Sequence, residues 1–340
     1  MQESPPPEPK KTSGLTTLLK IIVSVAVLYY LCHALNWSEL VDRLLHVKLL
    51  WFCIAVGTFG FVLLTTAIRF WLLLQVQGIS LSFIYSWKLG MIGNFFSLFL
   101  PGSVSGDFVK LFYLLKATAT RKARATLVVG LDRILGLVVL LIIMAVIFPF
   151  QIHKFETNPE VKDTAWGLLG LLFVALGGGL AIAFLPLKKL PQSIKELWHH
   201  VPKHHFIESL YVGYLEHLRH PGLTFFTVIV SFLAHLGNFI IGYALARSLS
   251  LNVSFLEMVI IMSMVMNITS IPISFGGHGL REGTFAIFFH LYGITQSLSD
   301  PSGIACGLLL LMVNVVWGIV GGFIYLTFRH TEKAVTPDLP

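Results

Sequence analysis

Six stretches of the chain, 15–35, 49–75, 125–150, 165–187, 221–248 and 302–328, are apolar almost without interruption. Runs of roughly 18 or more apolar residues mark helices that cross the hydrocarbon of a bilayer. This length dictates an all-α polytopic membrane protein. The low charge content agrees: 12% of residues are Asp, Glu, Lys or Arg, about half of what a soluble domain carries. The net charge of +7 then belongs to loops beside lipid headgroups, and nucleic acid is excluded as a partner.

Residues 1–14 hold prolines and lysines and read as a disordered cytoplasmic tail. The run at 15–35 is too long for a signal-peptide core and lacks a small-x-small cleavage site, so it reads as an uncleaved first span. The membrane domain covers 15–328, and 329–340 form a cytoplasmic C-tail. Cys32, Cys53 and Cys306 fall inside apolar runs with no metal or disulfide spacing. The adjacent pairs in HHVPKHH (His199–His205) lack the i, i+4 spacing of a metal site and read as a solvated basic loop. No metal and no cofactor is expected.

Two further apolar pieces are broken. Residues 82–100 run into PGSVSGD and then 107–117; residues 254–271 run into PISFGGHG and then 280–293. The second arms, about 16–21 Å at 1.5 Å per residue, are short for a core of about 30 Å. Each piece is therefore expected to be a re-entrant helical hairpin, although full spans stay open. Pro101, Gly102, Gly106, Pro272, Gly276, Gly277 and Gly279 are the helix-break residues. Ser254 with Glu257 fits a capping box, and Asp300-Pro301 and His220-Pro221 fit helix starts.

Lys and Arg near the span ends set the orientation. With the N-terminus inside, thirteen such residues fall in inner segments and four in outer ones, so both termini are expected in the cytoplasm. Residues 204–218 carry an apolar helical face and read as an interfacial helix.

The two breaks resemble each other. Pro101, Ser103, Gly106 and Lys110 align with Pro272, Ser274, Gly277 and Arg281 at one offset of 171 residues, and ISLSF (Ile79–Phe83) matches LNVSF (Leu251–Phe255) within one residue of it. Under the charge-derived topology the repeat halves, about 49–150 and 221–328, run in opposite senses. That predicts an inverted-topology repeat with broken helices meeting near the midplane, as in many secondary transporters. Non-helical backbone at that depth must be buried in protein or line a wet cavity.

A charge at the bilayer centre costs about 2.5–3.5 kcal/mol, so each calls for a partner or water. Arg69, Lys110 and Arg133 fall in the cytoplasmic half, beside the helix start near Asp107, and with Ser103 and Asp107 they form a candidate site for an anionic headgroup. Lys88 reads as a snorkelling residue. Asp132 points away from Arg133, because adjacent residues do not share a helix face. Ser274, His278, Arg281 and Glu282 are candidates for an outer path or gate, with Arg281–Glu282 open to a structural ion-pair reading. His235 reads as a hydrogen-bonded packing residue.

Arg69, LPGSVSGDFVK, the LDR of the following span and PISFGGHGLREG together resemble the flippase-like family that includes the membrane domain of lysylphosphatidylglycerol synthetases, the multiple peptide resistance factors. The resemblance covers roughly 15–328. It implies a cell-membrane protein that moves a polar lipid across the bilayer. In the full-length synthetases a soluble C-terminal domain makes the aminoacyl-lipid; this chain stops twelve residues after the last span, so that activity is expected to be absent. The partners expected are membrane lipids, with a second copy or lipid-biosynthetic enzymes as candidate protein partners. The sequence has no GxxxxGK[ST], so direct ATP drive is not expected. Two alternatives stay open: an integral-membrane transferase on a lipid or lipid-linked substrate, for which no DxD occurs, and a non-catalytic scaffold of a lipid-modifying complex.

Overall fold

The computed structural model describes residues 37–99, 105–118, 122–150, 219–270 and 279–328, with single residues at 170, 216 and 277. The runs at 15–35 and 165–187, the 199–205 and 204–218 segments and both tails lie outside these but for such single positions. So do Pro101, Gly102, Ser103, Pro272, Ser274, Gly276 and His278. The described residues form nine α-helices: α1 Trp37–Leu45, α2 Leu49–Val76, α3 Phe83–Phe99, α4 Ser105–Ala117, α5 Lys122–Ile147, α6 Pro221–Ser248, α7 Phe255–Ser270, α8 Leu280–Leu291 and α9 Ser302–Thr327. A 3-10 turn, Phe148–Phe150, extends α5.

Four of these, α2, α5, α6 and α9, are long and apolar enough to cross a membrane. At 1.5 Å per residue they measure about 39–42 Å, more than the hydrocarbon thickness. Their bounds lie within three residues of the sequence reading. The protein is a multi-pass membrane protein, and its many exposed Leu, Ile and Phe side chains suit a lipid solvent.

The caps behave as their chemistry requires. Ser254 N–H donates to Glu257 Oε2 at 2.7 Å and Glu257 N–H to Ser254 Oγ at 3.3 Å, a reciprocal box. Pro221 opens α6 behind His220. Asp300 caps α9 one residue later than anticipated: its Oδ1 accepts from Ser302 N–H at 2.9 Å, and Pro301 occupies the N-cap position itself. Helix α1 was not anticipated. It is nine residues long, and its buried Leu40 seats it on the core.

Two turns share one hydrogen-bond pattern. After α2, Gly78 N–H donates to Gln75 C=O and Ile79 N–H to Leu74 C=O; after α6, Ser250 N–H donates to Arg247 C=O and Leu251 N–H to Ala246 C=O. This is the Schellman termination, which needs a left-handed residue. Gly78 supplies it at φ 67° without strain, whereas Ser250 adopts φ 62° with a side chain attached.

Helix α2 packs along α6; α3 packs on α9, α4 and α2; α7 on α6, α8 and α5; α8 on α9; α5 on α2, α4 and α6; and α9 on α2, α6 and α1. The α3 and α4 arms touch backbone to backbone, because a Cβ on Gly106 would lie 2.3 Å from the Gly93 carbonyl oxygen. Gly106 is thus the second residue of α4, where its lack of a side chain permits close approach, and not part of the interruption. Gly277 and Gly279 do interrupt: both have left-handed φ, 79° and 80°, just before α8.

Candidate functional site

A cavity of about 490 Å³ lies among α2, α3, α4, α5, α6, α7, α8 and α9. Most of its charged wall is built by three of them. Arg69, twenty residues into α2, is 8% exposed. Its Nε donates to Asp132 Oδ1 on α5 at 2.7 Å, and Nη1 reaches Ser231 Oγ at 3.5 Å. Gly136, one turn along from Asp132, makes room for the guanidinium: a Cβ there would stand 3.2 Å from Nη1.

On α4, Asp107 is in the first turn, where the helix dipole favours a carboxylate. It accepts from Arg133 Nε and pairs with Lys110 Nζ at 3.0 Å. Lys110 Nζ also lies 3.9 Å from Asp132 Oδ2 and 5.3 Å from the centre of the Phe70 ring. The result is an alternating chain of charges, Arg133–Asp107–Lys110–Asp132–Arg69, across α2, α4 and α5.

The structure therefore brings together Arg69, Asp107, Lys110 and Arg133, all named from sequence, and adds Asp132. That addition is a correction. Asp132 and Arg133 do look toward different partners, as adjacent helical residues must, yet both border the cavity because it wraps around that side of α5. The electrostatics change accordingly. Three cations are interleaved with two carboxylates, so the addition of Asp132 lowers the surplus from two positive charges to one.

Arg281, named from sequence for an outer path or gate, borders the same cavity as the charge chain. Its Nε and Nη2 donate to Glu282 Oε1 at 3.0 and 2.7 Å, while Glu282 Oε2 accepts from Gly279 N–H at 2.6 Å. The Glu282 carboxylate fastens the first turn of α8. Lys88 is half-buried and does not line the cavity. His235 accepts its packing role: Nε2 lies 2.8 Å from the Gly136 carbonyl oxygen, and the ring stacks on Phe239.

Sequence reasoning missed the neutral wall of Asn94, Asn238, Thr269, Ser270 and Asn314. A charge inside an apolar run is conspicuous; a lone amide or hydroxyl there is ordinary. Among the described residues no group of three or more His, Cys, Asp or Glu is placed to hold a metal.

The cavity can hold a polar group away from lipid, offering cations to an anion and amides and hydroxyls to its neighbours. No curated protein matches the chain. The family described as lysylphosphatidylglycerol synthase TM region matches it over residues 17–325, a range that contains every residue of the cavity wall. The chain belongs to that family of membrane regions.

Proposed function

We propose that the protein moves a polar lipid across the bilayer, taking an anionic headgroup into the charged cavity while the acyl chains stay in the membrane. The observation that carries this reading is the five-member charge chain lining a cavity of about 490 Å³ among spanning helices. Stability alone does not account for it, since buried ion pairs are often no better than well-packed apolar residues of similar volume. An arriving phosphate would compete with Asp107 for Arg133, whose side chain, at 35% exposed, is the most open of the network.

The same reading includes an inverted repeat. Exchanging α2 with α6, α3 with α7, α4 with α8 and α5 with α9 maps the packing pairs among these eight helices onto themselves. The twin turns at Gly78 and Ser250 fall on the repeated ISLSF and LNVSF segments. Two halves of this kind would carry the headgroup by rocking about the cavity, with both termini in the cytoplasm as the Lys and Arg distribution indicates.

The test is translocation of a headgroup-labelled anionic lipid by the full chain in vesicles. Arg133→Ala is expected to abolish headgroup exposure in the opposite leaflet while the variant folds normally. Unchanged translocation would remove the charge chain from the transport path.

A further inference from the structure

A second hollow opens on the α3 and α4 arms. Its volume is about 280 Å³, and its walls are Phe96 of α3 with Phe108, Val109, Phe112 and Tyr113 of α4. It shares no residue with the charged cavity. Phe108 and Phe112 are 67% and 52% exposed, so this hollow is a groove open to the outside, whereas Asp107 and Lys110 on the same helix line the cavity.

The neighbouring spans give the groove a level in the membrane. Only residues 118–121 separate α4 from α5, which crosses the bilayer from Lys122 onward. Tyr113 packs edge-on against Phe328, at the end of the spanning α9, with ring centres 5.4 Å apart. The last turn of α4 therefore sits at the membrane surface. The other end of α4 places Asp107 on Arg133, about 16 Å along the α5 span. The groove thus descends from the surface toward the middle of the bilayer, and Phe108 lies about 12 Å along the helix from Lys116.

A cation stands at the surface end. Lys116 Nζ lies 4.3 Å from the centre of the Phe112 ring that lines the groove. The dipole of α4 favours a lysine in this turn, yet among the described residues no carboxylate or other acceptor takes any of its three N–H donors. Lys110, two turns deeper, is paired with Asp107.

We propose that this groove is a binding site for an anionic phospholipid of the adjoining leaflet, with its phosphate on Lys116 and one acyl chain along Phe112, Phe108 and Phe96. A hydrocarbon alone would leave Lys116 unanswered, and a soluble anion would leave the aromatic groove unfilled; such a lipid answers both. The site is separate from the charged cavity and does not depend on the lipid-moving reading.

The test places a photo-crosslinking residue in the groove of the full chain, Val109→p-benzoylphenylalanine. The vesicles hold equal amounts of phosphatidylglycerol and phosphatidylcholine with matched acyl chains, and the adducts are weighed by mass spectrometry. Phosphatidylglycerol adducts are expected to exceed phosphatidylcholine adducts by about fivefold, the contribution of one lysine beside an anionic leaflet. The same probe at Phe232, exposed in the middle of α6, should return a ratio near one. Lys116→Gln should bring the Val109 ratio to that level, and Lys116→Arg should keep the preference. Without any change at Lys116, raising the salt to about 1 M should also flatten it.

Arg133→Ala, which opens the charge chain, should leave the preference at Val109 in place even if translocation stops. Equal ratios at Val109 and Phe232, or a preference that survives Lys116→Gln, overturn the proposal. So do adducts with the chain itself or a second copy in place of lipid, and so does a preference lost in Arg133→Ala, which would make the groove part of the cavity.

Discussion

In the α2–α5 half, Arg69 and Arg133 find their carboxylates on other helices, and the pairs tie α2, α4 and α5 together around a hollow. In the α6–α9 half, Arg281 pairs with its own neighbour, Glu282, whose second oxygen holds the turn that begins α8. Backbone contact occurs in both halves, Gly106 on Gly93 in the first and Gly303 on Ala286 in the second. Helix α7 is buried without a gap from Glu257 to Val265, and α9 comes so close to α8 that a Cβ on Gly303 would lie 2.4 Å from Ala286 Cα. On α4, by contrast, Phe108 and Phe112 face outward while Asp107 and Lys110 face the hollow. What separates the halves is that the arginines of the first reach across helices, whereas that of the second closes on its own turn. Charges that reach across helices can exchange partners when a ligand arrives; charges closed within one turn cannot do so without unwinding it.

The largest effect expected from breaking this contrast is at Asp132. Asp132→Ala strands Arg69 in the interior and should cost about 3–5 kcal/mol, seen as a fall in thermal stability in detergent or a loss of folded yield. Replacing both partners, Arg69→Met with Asp132→Leu, should recover most of that stability yet leave translocation impaired. A double variant as unstable as Asp132→Ala would mean that the pair does not act as a unit.

Gly303→Leu probes the second half. Its side chain must enter the space held by the α8 backbone, and overpacking of this kind costs about 1–3 kcal/mol. Glu282→Gln against Asp107→Asn sharpens the comparison directly. Loss of the Glu282 charge should lower the melting temperature, with about 1.5–3 kcal/mol at stake for a charged hydrogen bond. Asp107→Asn should chiefly change translocation. A reversal of that order would erase the distinction between the halves. The smallest effect belongs to Gly130→Ala on the exposed side of α5, where nothing lies within 4 Å of the new methyl group. Thermal stability should hold or rise by at most about 1 kcal/mol.

The four long helices were legible in the sequence because an apolar run of spanning length has one stable form in lipid. The Ser254–Glu257 box was legible because capping is local. What the sequence withheld was pairing between helices. Helical spacing places Asp132 and Arg133 on different faces, and this is true of the structure, but it cannot say that one cavity borders both. The same limit hid that Arg281 borders that cavity as well. Helix α1 escaped because nine residues give too little periodicity, and Ser250 because nothing in a serine announces a left-handed backbone.

Gly93 and Gly106 meet where the α3 and α4 arms cross, and Asp107 and Lys110 ride on the arm just beyond that crossing. A side chain at Gly106 would wedge the two arms apart, and one at Gly93 would press on Gly106 and on the Lys110 stem. The bore of the charged chamber is thus gauged by two residues that contribute no functional atom to it, and a survey confined to reactive side chains would overlook the pair that sets its width.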